Sequence, residues 1–203
     1  MHDEMGMLKE VGSIVAGHGG IALSEILGRK VILDIPHMDV VPRMECSFAP
    51  ARSEIGIGIF SKIAVGLKGE VVVLLDEKNA FKLINLSYKL NDEEKKLGAF
   101  TELGLSLVKE IGNIVIGAYL NSLSLFLKRM IIPSLPTLIS GVMENIMNII
   151  IVPQKEDDYN IVVEVTFEEP VDKIQGSFYL VLTQDAVSDI QQTCRQILSD
   201  LEK

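Results

Sequence analysis

The chain of 203 residues predicts an α+β fold, internally duplicated about a pseudo-twofold axis, with two long equivalent helices packed on a β-sheet. Three observations lead there. The sequence matches itself without gaps at an offset of one hundred positions. Each matching half opens on a long run of apolar residues at helical spacing. Each then continues into short β-branched runs and closes on a second amphipathic segment. A hydrophobic content of 48% is enough to bury a substantial core.

The repeat is read directly from the residues. Lys9-Glu10-Val11-Gly12-Ser13-Ile14-Val15 lies over Lys109-Glu110-Ile111-Gly112-Asn113-Ile114-Val115. The match continues through Gly17/Gly117, Leu23/Leu123, Ser24/Ser124, Leu27/Leu127, Arg29/Arg129 and Ile32/Ile132, and ends at Pro36/Pro136. Chance does not hold register over about 30 residues, so a tandem duplication is expected. The organisation predicted is one domain of two repeats, about 1–91 and 92–203, whose halves meet near Asp92.

Taken in order, Met5 to Arg29 reads as the first long helix and Val31 to Ile35 as a strand. His37 to Ala51, with Pro42 and Pro50, reads as extended. Strands are predicted over Ile55–Val65 and Val71–Leu75, followed by a helix over Asp76–Leu90. The second long helix is predicted over Asp92–Lys128, capped by Asn91-Asp92, with Asp92-Glu93-Glu94 placing negative charge in its first turn. Pro136 to Ile149 reads as helical and Gln154 to Asn160 as a solvated loop. Strands over Ile161–Phe167 and Phe178–Leu182 and a helix over Gln184–Leu201 complete the chain, with Gly69 and Gly176 preceding matching strands.

Several function classes are excluded on composition. Mean hydropathy is high at +0.31, and the most apolar stretch runs from Met130 to Val152. Pro133, Pro136, Glu144, Asn145 and Asn148 interrupt it, so no membrane insertion is expected. His2-Asp3-Glu4 is acidic where a secretory leader is basic, and the protein is expected to be cytoplasmic. Cys46 and Cys194 read as two reduced cysteines. A net charge of −9 argues against nucleic acid as a partner. His2, His18 and His37 lack metal-ligand spacing, and Gly17-His18-Gly19-Gly20 matches neither common phosphate-binding loop. No metal and no cofactor of the protein's own is expected.

Ser106, Glu110 and Asn113 stand among apolar neighbours in the second long helix. Spacings of four and three place them on one face. Such a stripe is most simply the wet side of an amphipathic helix. Two features count against so plain a role. Gly112 and Gly117 lie mid-helix, each costing about 1 kcal/mol relative to alanine, a cost that close packing or close approach of a partner must offset. In addition, the acid, the glycines and the terminal proline recur at matching positions in both halves.

Ser106-x3-Glu110-x2-Asn113-x22-Pro136 resembles the signature of the CheC, CheX and FliY phosphatase family. That signature reads Asp or Ser, x3, Glu, x2, Asn, about x22, Pro. The duplicated layout, with a helix opening each half, is most similar to CheC. The first half departs from it, reading Gly6-x3-Glu10-x2-Ser13-x22-Pro36. Glu10, Ser13 and Pro36 thus form a degenerate first site, expected to be silent, and one intact site remains.

The resemblance implies hydrolysis of the aspartyl phosphate of a CheY-type response regulator, with Mg2+ held in the regulator's own site. It gives Asn113 the task of orienting the attacking water and Glu110 a contact with the regulator's lysine. Ser106 and Pro136 are implied to be supporting, Pro136 at the rim rather than in the chemistry. The alternative is a non-catalytic adaptor that binds phosphorylated CheY or the deamidase CheD. Exposure of Asn113 discriminates, because a buried asparagine could not reach a regulator's phosphoryl group.

Overall fold

The computed structural model describes residues 2–42, 54–88, 93, 101–150 and 159–201. Helix α1 (His2–Leu27) leads into β1 (Ile32–Pro42), then β2 (Ile55–Val65), β3 (Gly69–Asp76) and helix α2 (Glu77–Tyr88). The second half begins with helix α3 (Glu102–Leu127) and a short β4 (Ile132–Pro133). It continues through β5 (Thr137–Val142), helix α4 (Met143–Ile150), β6 (Tyr159–Glu169), β7 (Ile174–Thr183) and helix α5 (Gln184–Leu201).

The strands form one antiparallel sheet in the order β1-β6-β7-β3-β2-β4, with β5 also pairing β2. Its centre carries the twofold relation. Gly69 opens β3, and Gly176 stands at the matching place in β7; the third residue after each, Val72 and Tyr179, face one another across the β3–β7 ladder. Outside that centre the halves exchange strands. β1 of the first half lies along β6 of the second, and β5 of the second lies along β2 of the first.

Central strands are apolar on both faces, as strands covered from both sides must be. Val71, Val73 and Leu75 of β3 point into the main core with Phe178, Leu180 and Leu182 of β7. That core lies under α1, α2, α3 and α5, through residues such as Val15, Leu83, Ile111 and Ile190. The alternate residues Val72, Leu74, Tyr179 and Val181 face the other way, against Met143 and Ile146 of α4. The Tyr179 hydroxyl donates to Glu164 Oε1 at 3.0 Å, satisfying a polar group on that second face.

The repeat is visible at the ends of the long helices. Both finish at matching leucines, Leu27 and Leu127. The next residue in each is left-handed, Gly28 with φ 65° and Lys128 with φ 49°. Arg29 N–H donates to Ser24 O at 3.1 Å, and Arg129 N–H to Ser124 O at 3.0 Å, the same closing bond in both.

Three expectations need correction, and a fourth cannot be placed. The second long helix does not run unbroken from Asp92. Thr101 is extended (φ −78°, ψ 161°) and caps α3, its Oγ1 accepting from Gly104 N–H at 3.0 Å. The proposed Asn91-Asp92 cap lies outside the described residues. Pro136 to Ile149 is only partly helical, because Thr137–Val142 pairs with the otherwise open edge of β2 as β5. The strand after α1 does not stop at Ile35 but continues to Pro42. Pro36 falls where the β1–β6 register shifts between Asp34 and His37, the irregularity a strand proline needs. Cys46, Glu156, Asp157 and Asp158 lie outside the described residues.

Among the described residues, the helix apolar and long enough to cross a membrane is α3. Its apolar face is spent inside this fold: Val108, Ile111, Val115, Ile116, Tyr119, Leu120 and Leu123 are all at most 3% exposed.

Candidate functional site on helix α3

Helix α3 is held down along one side and free along the other. Val108, Ile111 and Val115 enter the core, with Leu105, Leu107 and Ile114 packed at its margin. Gly112 lets the helix lie close on β2, since a Cβ there would meet Ile59 Cγ1 at 2.9 Å. Close helix packing thus accounts for the glycine at this position.

The opposite side presents Ser106, Glu110 and Asn113, all exposed. At a rise of about 1.5 Å per residue, Glu110 and Asn113 stand roughly one turn apart on a single ridge. Neither is held by a hydrogen bond or ion pair among the described residues. Both side chains are therefore available to an outside partner. Leu103, 47% exposed, extends the same face one step toward the helix start. The sequence reading passed it over, although its position three residues before Ser106 was a usable signal.

Pro136 is placed by a different device. The link between β4 and β5 is pinned to β2, where Ser61 Oγ donates to Ser134 O at 2.8 Å and Ser134 N–H donates to Lys62 O at 2.7 Å. Pro136 follows this anchor and immediately precedes β5. Leu135 beside it is 92% exposed, a large apolar side chain held outward by that link. Helix α3 packs against both β4 and β5, so the link and the ridge belong to one side of the sheet's edge.

The matching positions on α1 keep the layout and lose the amide. Gly6, Glu10 and Ser13 are exposed, as their counterparts are. Ser13 Oγ is turned back on its own helix, donating to Lys9 O at 2.9 Å. Gly12 again seats the helix, its missing Cβ leaving room for Ile35 Cδ1, which such an atom would meet at 2.5 Å. His18 is an exposed residue inside the helix. An open apolar concavity lies beside the far end of α1, lined by Gly20, Ile21, Val31 and Leu33 among others. It includes none of the polar residues of either ridge.

No group of three or more His, Cys, Asp or Glu side chains is placed to hold a metal ion among the described residues. In the core, burial raises both the Tyr119 phenol and the Cys194 thiol above their ordinary pKa.

A duplicated α+β sheet fold with a free polar ridge on a long helix defines the class of protein. Known proteins share the fold. The family model for CheC-like proteins matches residues 103–140, which cover the ridge and Pro136. The CheY-P phosphatase CheC of Bacillus subtilis (strain 168) is 27% identical over 140 residues, spanning 66% of this chain and 65% of that protein's length. The structure of Thermotoga maritima FliY superposes with a TM-score of 0.74 at 24% identity, covering 97% of this chain and 98% of that one. FliM from its H. pylori complex with SpeE follows at TM-score 0.64 and 13% identity, over 97% and 96% of the two chains. The chain is thus similar to CheC-like proteins over the ridge segment and to CheC over two thirds of its length, and it shares the fold of FliY and of FliM.

Proposed function

We propose that the protein is a phosphatase that hydrolyses the aspartyl phosphate of a CheY-type response regulator from the α3 ridge. The observation that carries this reading is the exposure of Asn113 and Glu110, one turn apart and unengaged, on a helix seated firmly by Gly112. An acyl phosphate is already activated, so the task left to the protein is to place a water in line with phosphorus. The Asn113 carboxamide can accept from and donate to one water, as the water-orienting glutamine of small GTPases does. Water oxygen then bonds to phosphorus, the bond to the aspartyl oxygen breaks, and inorganic phosphate leaves the regenerated carboxylate. Mg2+ in the regulator's site would carry the phosphoryl charge.

Glu110 pairs with the regulator's lysine in this scheme and sets how deeply Asn113 enters. Ser106 braces the start of the ridge, and Pro136 shapes its rim. The first helix offers Glu10 and Ser13, but a serine hydroxyl folded onto Lys9 O has neither the reach nor the second donor of an amide. Helix α1 is silent on this reading.

The test follows decay of phosphorylated CheY-type regulator in the presence of Mg2+, with wild type, Asn113→Ala and Ser13→Ala. Wild type should accelerate decay. Asn113→Ala should lose about 10²-fold, the scale of a misplaced reactant, and Ser13→Ala should act as wild type does. Binding without acceleration by wild type would replace the phosphatase with an adaptor for the phosphorylated regulator or for CheD.

A further inference from the structure

The glycines of the long helices divide into those that the fold explains and those that it does not. A Cβ on Gly12 or Gly112 would run into Ile35 or Ile59. On Gly19 it would meet Leu33 Cδ1 at 3.3 Å and the backbone of Tyr119 at 3.6 Å, and on Gly20 Val31 O at 3.3 Å. Gly117 has no such reason. Among the described residues, its own turns of helix aside, nothing lies within 4 Å of where its Cβ would stand, and its backbone is ordinary helix. Any good helix former would fit there and would favour the helix. The space left by the missing side chain therefore opens outward rather than into the core. It lies one turn beyond Asn113, four residues on, along the same ridge.

We propose that Gly117 is a positioning residue for the regulator: it leaves a step in the α3 surface against which the partner's backbone settles as it docks on the ridge. This rests on the reading of the ridge as the regulator-binding site. Gly17 of α1 is the natural comparison. It has the same open space but sits beyond Ser13, on the helix without the amide.

The experiment compares full-length wild type, Gly117→Gln and Gly17→Gln. Melting temperature, KM and kcat for the phosphorylated regulator, and the Kd for the regulator loaded with beryllofluoride and Mg2+ are measured. Both variants should melt no lower than wild type. For Gly117→Gln, KM and Kd should rise about tenfold or more while kcat changes by less than about twofold, the signature of lost docking rather than lost chemistry. Gly17→Gln should leave all three unchanged. Wild-type binding by Gly117→Gln overturns the inference. So does an equal loss in Gly17→Gln, or a lowered melting temperature in Gly117→Gln, which would show an internal role. If wild type binds the loaded regulator without speeding its decay, the phosphatase reading falls and Gly117 is judged on Kd alone. If wild type does not bind, both fall.

Discussion

Replacing Gly112 and Gly117 by alanine, one at a time, separates packing from helix propensity within a single helix. Each substitution gains about 1 kcal/mol of propensity, so that contribution cancels in the comparison. At Gly117 the new methyl meets nothing within 4 Å among the described residues beyond its own turns of helix. At Gly112 it would lie 2.9 Å from Ile59 Cγ1 and 3.1 Å from both Ile59 Cβ and Cδ1, where carbon atoms prefer about 3.5–4.0 Å. Ile59 is wholly buried, and its Cβ is tied to β2, so rotating one side chain does not relieve the contact. Helix or strand must move, a strain of about 1–3 kcal/mol in well-packed cores. At about 2–4 °C per kcal/mol for a chain of this size, Gly117→Ala should melt roughly 2–12 °C above Gly112→Ala. Urea unfolding of the two variants, fitted with a common slope, reads the difference directly. Coincident or reversed midpoints would refute the claim that Gly112 exists to let α3 lie against Ile59. Because Asn113 adjoins Gly112, the strained variant should also lower the phosphatase activity proposed above more than its stability loss explains.

Two further expectations concern stability. Lys128 holds a left-handed conformation (φ 49°) that Gly28 fills in the first repeat. Lys128→Gly should therefore stabilise by about 0.5–1 kcal/mol, and Gly28→Ala should destabilise by a similar amount; chemical denaturation that finds Lys128→Gly weaker than wild type would contradict this. The Tyr119 phenol is 2% exposed, and burial raises its pKa above the ordinary value of 10.0. Its neutral form is the one that the fold accommodates, so its contribution is intact below pH 10 and is lost as pH rises beyond that, while the unfolded chain ionises. The slope reaches about 1.4 kcal/mol per pH unit for this one group. Tyr119→Phe should flatten that alkaline fall in a stability-against-pH series, and an unchanged slope would assign it elsewhere.

The elements that sequence made legible are those governed by local periodicity. Gln184–Leu201 was readable as α5 and Ile55–Val65 as β2 because each carries a complete apolar pattern of its own period. The polar ridge was readable for the same reason, since spacings of four and three settle which residues share a face. What local pattern could not show was decided by distant partners. Thr137–Val142 has apolar residues that suit helix or strand, and only the open edge of β2, far back in the chain, selects strand. The start of α3 was misplaced because Thr101 interrupts a run that looked continuous. The glycines were noticed together, yet Gly112 and Gly117 differ in kind. One meets Ile59 and the other meets empty space, a distinction invisible without the opposing strand.

The exchange of β1 and β5 between the halves has a consequence for how such a protein comes into being and how it can change. Among the described strands, when the first half leaves the ribosome β2 has only β3 beside it, and β1 has no neighbour until β6 is made. The ladder must wait for the far end of the chain, which favours slow, late closure and a newborn half with uncovered strand edges. The same mutual borrowing ties the fates of the two helices. Whatever chemistry α1 has kept or lost, the half that carries it supplies the strand on β6 and the seat for β5. Selection can let its ridge drift, but it cannot discard the repeat.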